Sequence, residues 1–328
     1  MDIIIIIIIL VICCCCSIIV GGGGYYYINY MAPNDTKSAP TSSNNTQSAP
    51  TTGSNASAPV TTQASTVQTT TTSAPITTTP GPTSPKKPGP KIVCGVNSSD
   101  TIKCADKNIT TNPNWKDLPG SGRNVSVNSD GSLYLTNNAQ GIWYKPDITS
   151  TNNWRQLPGG LWQISGNNGF VCGVNGGDGI YCADQNITSN ANWKNIPGGL
   201  KQVSVNDDGS IYGVNNGGEY FYKSNYNDTS GWKLLPKGAL SNGLKQISSK
   251  DGVLCGVDSS NGVWCADQNI NSSPNWKKLP GALNWISVNG DGSLFGTNFG
   301  GQVFYKSNYN DNSDWTVLPG GLKQVSSI

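Results

Sequence analysis

From residue 91 to residue 328 the apolar positions come in short runs bounded by Gly, Asn, Asp or Pro. Residues 193–223 show the pattern most clearly: WKNIPGGLKQVSVNDDGSIYGVNNGGEYFYK. LKQVSV, SIYGV, EYFYK and WKNI each read as a strand, by alternation or by β-branched and aromatic content. Tight turns separate them. Asp130-Gly131, Asn168-Gly169, Asp208-Gly209, Asp251-Gly252 and Asp291-Gly292 follow the first strand, and such pairs tolerate positive φ in hairpins. The phrase begins again at Trp115, Trp154, Trp193, Trp232, Trp276 and Trp315, at spacings of 39, 39, 39, 44 and 39 residues. A four-stranded unit repeated about every 40 residues predicts an all-β chain folded as a six-bladed β-propeller of antiparallel blades.

The ends predict how the ring closes. The chain stops after the first strand of a unit, at VLPGGLKQVSSI, and the repeat region starts at Lys91 with KIVCGV, a second strand. Together they complete one blade, so the ring hides the sheet edges that an open array exposes.

Two different materials precede the repeats. Residues 3–20 carry no charge and are long enough to span a bilayer. Residues 1–30 therefore read as a signal anchor in contact with lipid, with a cleaved signal peptide as the alternative. Residues 31–90 are Thr, Ser, Pro, Ala and Asn with few large apolar side chains, and they read as a disordered, mucin-like stalk, with or without sugars. The stalk ends in PGPTSPKKPGP, and residues 91–328 form the head. The homopolymer runs of Ile, Cys, Gly and Tyr, with an Asn/Ile bias, fit an AT-rich, slippage-prone genome such as that of a large DNA virus.

Six cysteines of the head form pairs ten residues apart: Cys94/Cys104, Cys172/Cys182 and Cys255/Cys265. The intervening units carry Tyr134/Tyr144, Tyr212/Tyr222 and Phe295/Tyr305 at the same positions. Cysteines that replace cross-strand aromatic pairs should face each other, and three disulfides follow. Zinc is the competing reading, but the pairs lie in alternate blades and the chain has no histidine. Disulfides imply an oxidising compartment or a virus with its own thiol oxidation. Asn34, Asn44, Asn55, Asn97, Asn108, Asn186, Asn227 and Asn271 are candidate N-glycosylation sites, and Asn108, Asn186, Asn227 and Asn271 fall in the loop after the third strand. Asn124 also heads a sequon but precedes a strand core.

The residue inventory argues against an enzyme. Histidine is absent, Glu219 is the only glutamate, and most aspartates sit in turns, so the usual acid–base groups are missing. No catalytic residue, cofactor or metal site is expected. The net charge of +2, without a basic stripe, gives no sign of nucleic acid. Two tryptophans break the repeat. Trp162 replaces the cation found at Arg123, Lys201, Lys245 and Lys323, and Trp285 replaces the amide found at Asn124, Gln163, Gln202, Gln246 and Gln324. Aromatic faces beside polar donors suit sugar recognition; the alternative is that both indoles fill space near the inner strands.

The phrases WKNIPGGLKQVSVNDDGSIYGVN and WKKLPGALNWISVNGDGSLFGTN resemble the tectonin repeat across residues 91–328. The resemblance implies a six-bladed propeller. It also implies lectin activity, as in the similar fish-egg and tachylectin-like proteins, although other members bind proteins or lipids. The expected function is a membrane-anchored, stalked lectin that binds glycans at a cell or virion surface. Its ligand residues are expected at Trp162, Trp285, Arg123, Lys201, Lys245 and Lys323. The alternative is a structural surface glycoprotein of a virion coat or fibre, whose propeller packs against neighbouring proteins.

Overall fold

The structure is a computed structural model that describes residues 91–167 and 169–328. The expected anchor and stalk, the sequons Asn34, Asn44 and Asn55, and Asn168 of one expected turn lie outside the described residues.

Twenty-four strands form six four-stranded antiparallel sheets, and one sheet draws on both ends of the chain. In that closing blade, β24 (Gln324–Ser327) pairs with β1 (Val93–Val96), which pairs with β2 (Ile102–Ala105), which pairs with β3 (Lys116–Leu118). The inner strands of the other blades are β4 (Asn124–Val127), β8 (Gln163–Asn167), β12 (Gln202–Val205), β16 (Leu244–Lys250) and β20 (Trp285–Val288). Each leads a meander of three further strands, so the expected closure by a shared blade is what the chain adopts.

The cysteine pairs sit in register, Cys94 opposite Cys104, Cys172 opposite Cys182 and Cys255 opposite Cys265, and all three are disulfides. The aromatic pairs occupy the same register, with ring centroids 5.4, 5.2 and 5.0 Å apart. Alternation extends to the loop that follows. The aromatic blades end their third strand on a buried lysine, Lys145, Lys223 or Lys306, where the cysteine blades have Ala105, Ala183 and Ala266. The lysine ammonium donates to carbonyls of the next loop, Lys145 to Ser150 (2.8 Å) and Asn152, Lys223 to Ser230, and Lys306 to Ser313. A charge is thereby buried with its donors satisfied, which a strand-end lysine read as solvated would not suggest.

Two devices join the blades. On the outside, the indole N–H of five of the six repeat tryptophans donates to the Pro carbonyl of the preceding blade: Trp154 to Pro119 (2.8 Å), Trp193 to Pro158 (2.7 Å), Trp232 to Pro197 (3.0 Å), Trp315 to Pro280 (2.8 Å) and Trp115 to Pro319 (2.7 Å). The following glycine must be glycine. Gly320 has φ +126°, and a Cβ there would lie 2.7 Å from the Trp115 indole nitrogen.

On the inside, side chains act as extra backbone. Gln324 Nε2 donates to the Val125 carbonyl (2.9 Å) while its Oε1 accepts from the Val125 N–H (3.1 Å). Gln163 holds Val203 and Gln246 holds Ile286 in the same way. Asn124 and Gln202 accept from the N–H groups of Ile164 and Ile247. One turn of pleat further on, the Ser126, Ser165, Ser204, Ser248, Ser287 and Ser326 hydroxyls each accept an N–H from the next inner strand. The inner strands of neighbouring blades diverge too far for a backbone ladder, and these side chains satisfy the inward-facing groups instead.

Candidate functional site

Each inner strand runs from one end of the axis to the other. Lys201 and Gln202 start β12 at one mouth, and Asn206, Asp207 and Asp208 follow it at the opposite end. The narrow channel between is lined by the stapling amides, the serines and the aliphatic side chains that alternate with them. At the aspartate end, Lys250 Nζ reaches Asp207 (3.0 Å) and Ser129 (2.8 Å), and the Ser129 hydroxyl donates to Asn167 (2.9 Å). Burial raises the Asp207 carboxyl, but the Lys250 ammonium outweighs it and holds the pKa below the ordinary value.

The other mouth opens into a cavity of about 510 Å³. All six residues expected at a ligand site line it: Arg123, Trp162, Lys201, Lys245, Trp285 and Lys323. Trp162 and Trp285 belong to blades three apart in the ring, so they stand on opposite sides of the axis. Asn138, Asn175, Asp178 and Asn216, from the turns between second and third strands, complete the rim. These turns share one construction: Asp100, Gln140, Asp178 and Asn261 all adopt φ between 63° and 71° at the equivalent position.

The structure gives the two indoles different surroundings. The Arg123 guanidinium lies 4.5 Å from the Trp162 ring centroid, so one face of this 41% exposed indole is already covered. Trp285 is half-buried and packs on the core of the closing blade. Because Trp285 stands where other blades have an amide, the Val325 N–H receives no staple, whereas the five equivalent N–H groups do. Gln163, Gln246 and Gln324 are engaged at both ends of the side chain, whereas Asn124 and Gln202 staple through the amide oxygen alone.

The cations differ too. Lys323 donates to Asp100, and this bond holds the Asp100 carboxyl below the ordinary range. Lys245 donates to Asn261 and, at 3.0 Å, to Asn284, and it sits 4.8 Å from the ring of Phe299, which is 75% exposed. Burial pushes the Lys201 ammonium pKa down against the field of Asp178. Burial does the same at Lys245, where Asp258 opposes the shift and Lys201 adds to it. Among the described residues no group of three or more His, Cys, Asp or Glu converges as metal ligands do.

Of the described sequons, Asn108, Asn186, Asn227 and Asn271 are exposed in the loops after third strands, away from the mouth. Asn97 is half-buried, and its Oδ1 caps its own turn by accepting from Ser99 and Thr101 N–H groups.

A closed ring of six four-stranded blades, with an aromatic and basic mouth on its axis, places the molecule among six-bladed β-propellers. The tectonin domain family model matches residues 87–242 and again 191–327, and the chain belongs to that family. No curated protein matches the chain. Among solved structures, a chain of a nidogen/laminin complex is similar, with 13% identity, TM-score 0.57, and coverage of 73% of this chain and 98% of that one. YCF48 bound to a D1 peptide has 15% identity and TM-score 0.45, covering 68% of this chain and 76% of its own. Human WBSCR16 has 12% identity and TM-score 0.43, covering 71% and 79%.

Proposed function

We propose that the chain is a lectin-like binding propeller that takes a glycan in the axial mouth. One observation carries the reading. The positions that break the repeat, Trp162 and Trp285, converge in the same cavity as the ring of cations. A residue that only filled space would have no reason to abandon the amide staple at one seam. Trp285, with one side on the core and the other toward the cavity, is the platform on which a pyranose C–H face stacks, and the turn-tip Asn138, Asn175 and Asn216 line the rim around it. On this reading residues 3–20 hold the chain in a membrane and residues 31–90 raise the head above a cell or virion surface.

A glycan array probed with the full-length protein tests the reading. Binding to a defined sugar class, lost by tenfold or more in Trp285→Ala with the thermal midpoint retained, is the expected result. A folded, disulfide-bonded protein that binds no glycan removes the lectin reading. N-terminal sequencing of the mature protein tests the anchor, with an intact N-terminus expected.

A second reading has its own observation. Leu234 and Val317 are 55% and 57% exposed on outer strands of two blades, where a neighbouring protein could cover them. Sedimentation of the full-length protein at micromolar concentration distinguishes the two: ordered self-assembly, weakened by Val317→Lys, supports a packing role.

A further inference from the structure

We infer that the mouth selects a sugar bearing an oxyanion, a carboxylate or a sulfate, seated between Lys201 and Lys245 while its ring lies on Trp285. The inference rests on the lectin reading and narrows it. Lys201, Lys245 and Trp285 come from three consecutive blades, through β12, β16 and β20, and all line the one cavity.

The argument is an account of the charges. Arg123, Lys201, Lys245 and Lys323 line the mouth, and only Lys323 has a carboxylate in contact, that of Asp100. Arg123 lies on Trp162, and among the described residues its guanidinium makes no hydrogen bond or ion pair. Lys245 is held by the neutral amide oxygens of Asn261 and Asn284. The Lys201 ammonium has no hydrogen-bond or ion-pair partner among the described residues. Asp178 is the carboxylate it feels, and that group already accepts from Asn216 at 2.6 Å. Both lysines are half-buried, and each finds its charge harder to hold for it. Each lysine has a carboxylate in its field, Asp178 for Lys201 and Asp258 for Lys245, but burial outweighs it, and the Lys201 charge adds a smaller repulsion at Lys245. An oxyanion there gains charge-assisted hydrogen bonds and relieves that repulsion. A neutral sugar would leave the lysines as they are.

The test uses the full-length protein and one trisaccharide in three forms, neutral, hexuronate and sulfated, titrated by calorimetry at two salt concentrations. One charged form should bind about tenfold or more tightly than the neutral parent, as expected for one or two charge-assisted contacts. Whichever charged form wins identifies the oxyanion. Lys201→Met and Lys245→Met should each shrink the charged-to-neutral ratio severalfold. If Lys245→Met unfolds, Lys201→Met carries the test, because its ammonium has no partner to lose. Equal binding of all three forms overturns the inference and leaves the lectin reading standing. Binding of none overturns both. A charged preference untouched by Lys201→Met places the oxyanion elsewhere and also overturns it, as does equal competition by a short single-stranded DNA, which would mark a general polyanion surface.

Discussion

Gln163 and Trp285 stand at the same position of the repeat, yet one closes a blade junction and the other leaves it open. Gln163 makes two bonds to Val203, so Gln163→Ala should cost about 1–3 kcal/mol in urea unfolding by leaving a buried N–H and C=O unpaired. Asn124 makes one such bond, to Ile164, and Asn124→Ala should cost less. The identity of the exceptional residues was legible in the sequence, because Trp162 interrupts a column of cations present in four of the other five units and Trp285 a column of amides present in all five. Their environments were not. No sequence pattern says that Arg123 covers one face of Trp162, since the two belong to adjacent blades and meet only when the ring closes. Nor does one say that the amides bond to the neighbouring strand, because a column of Gln is equally compatible with solvent. The buried Lys145, Lys223 and Lys306 were missed for a related reason: their shared partners are loop carbonyls, which carry no sequence signal, and only Lys306 adds a carboxylate, that of Asp311.

At the level of strands and loops, the 44-residue spacing between Trp232 and Trp276 marks the one irregular junction. Five extra residues follow Pro236, and the indole of Trp276 no longer reaches a proline carbonyl. Tyr220 fills the gap: the Trp276 Nε1–H donates to the Tyr220 hydroxyl (2.8 Å), which donates to the Pro236 carbonyl. Other blades have Ile102, Ile142, Ile180, Val263 and Val303 at that position, so the tyrosine and the insertion were both visible, but their connection was not. Tyr220→Phe should cost about 1–3 kcal/mol, since both partners lose their bond, whereas Ile142→Val, at the same position in a regular blade, should cost about 0.5–1.5 kcal/mol from packing alone. Chemical denaturation of both variants checks the contrast. The disulfides are similarly local. Each closes a loop ten residues long, and Cys172→Ala/Cys182→Ala should lower stability by about 2–4 kcal/mol. Cross-strand register was legible because the cysteine and aromatic columns coincide, and that coincidence is now seen to extend to two loop designs.

For the whole molecule, the charge inventory sets the pH response. Tyr134, Tyr212 and Tyr309 have pKa values raised by burial well above the ordinary 10.0. A raised folded-state pKa gives stability that is full below pH 10 and falls above it, as the unfolded chain releases protons that the folded chain keeps. Lys201 and Lys245, displaced less, act in the opposite sense over the same range. Asp311 is held far below 3.8, first by the Lys306 ammonium, and Asp147 is lowered by Thr149, so their contribution is present above that value and lost as pH falls through it. Histidine is absent, and the six cysteines of the described residues are in disulfides. The thermal midpoint should stay within about 2 °C from pH 5 to pH 9 and fall steeply above pH 10, as scanning calorimetry would show.

The closing blade also decides how the head bears a load. Lys91 joins the propeller beside Ile328, and Ile92 lies against the Gly131 turn at the aspartate end, so the first described residues lie at the face opposite the basic mouth. Tension at Lys91 acts along β1, parallel to its length. β1 is flanked on both sides, by β24 and by β2, and Cys94–Cys104 rivets it to β2. Its hydrogen bonds are therefore sheared together and not peeled one by one, and the first strand to feel a pull is covalently fixed to its neighbour. A ring zipped shut by its own two ends is thus a fastening as well as a fold: a pull at Lys91 meets the seam in shear, where a disulfide already holds it.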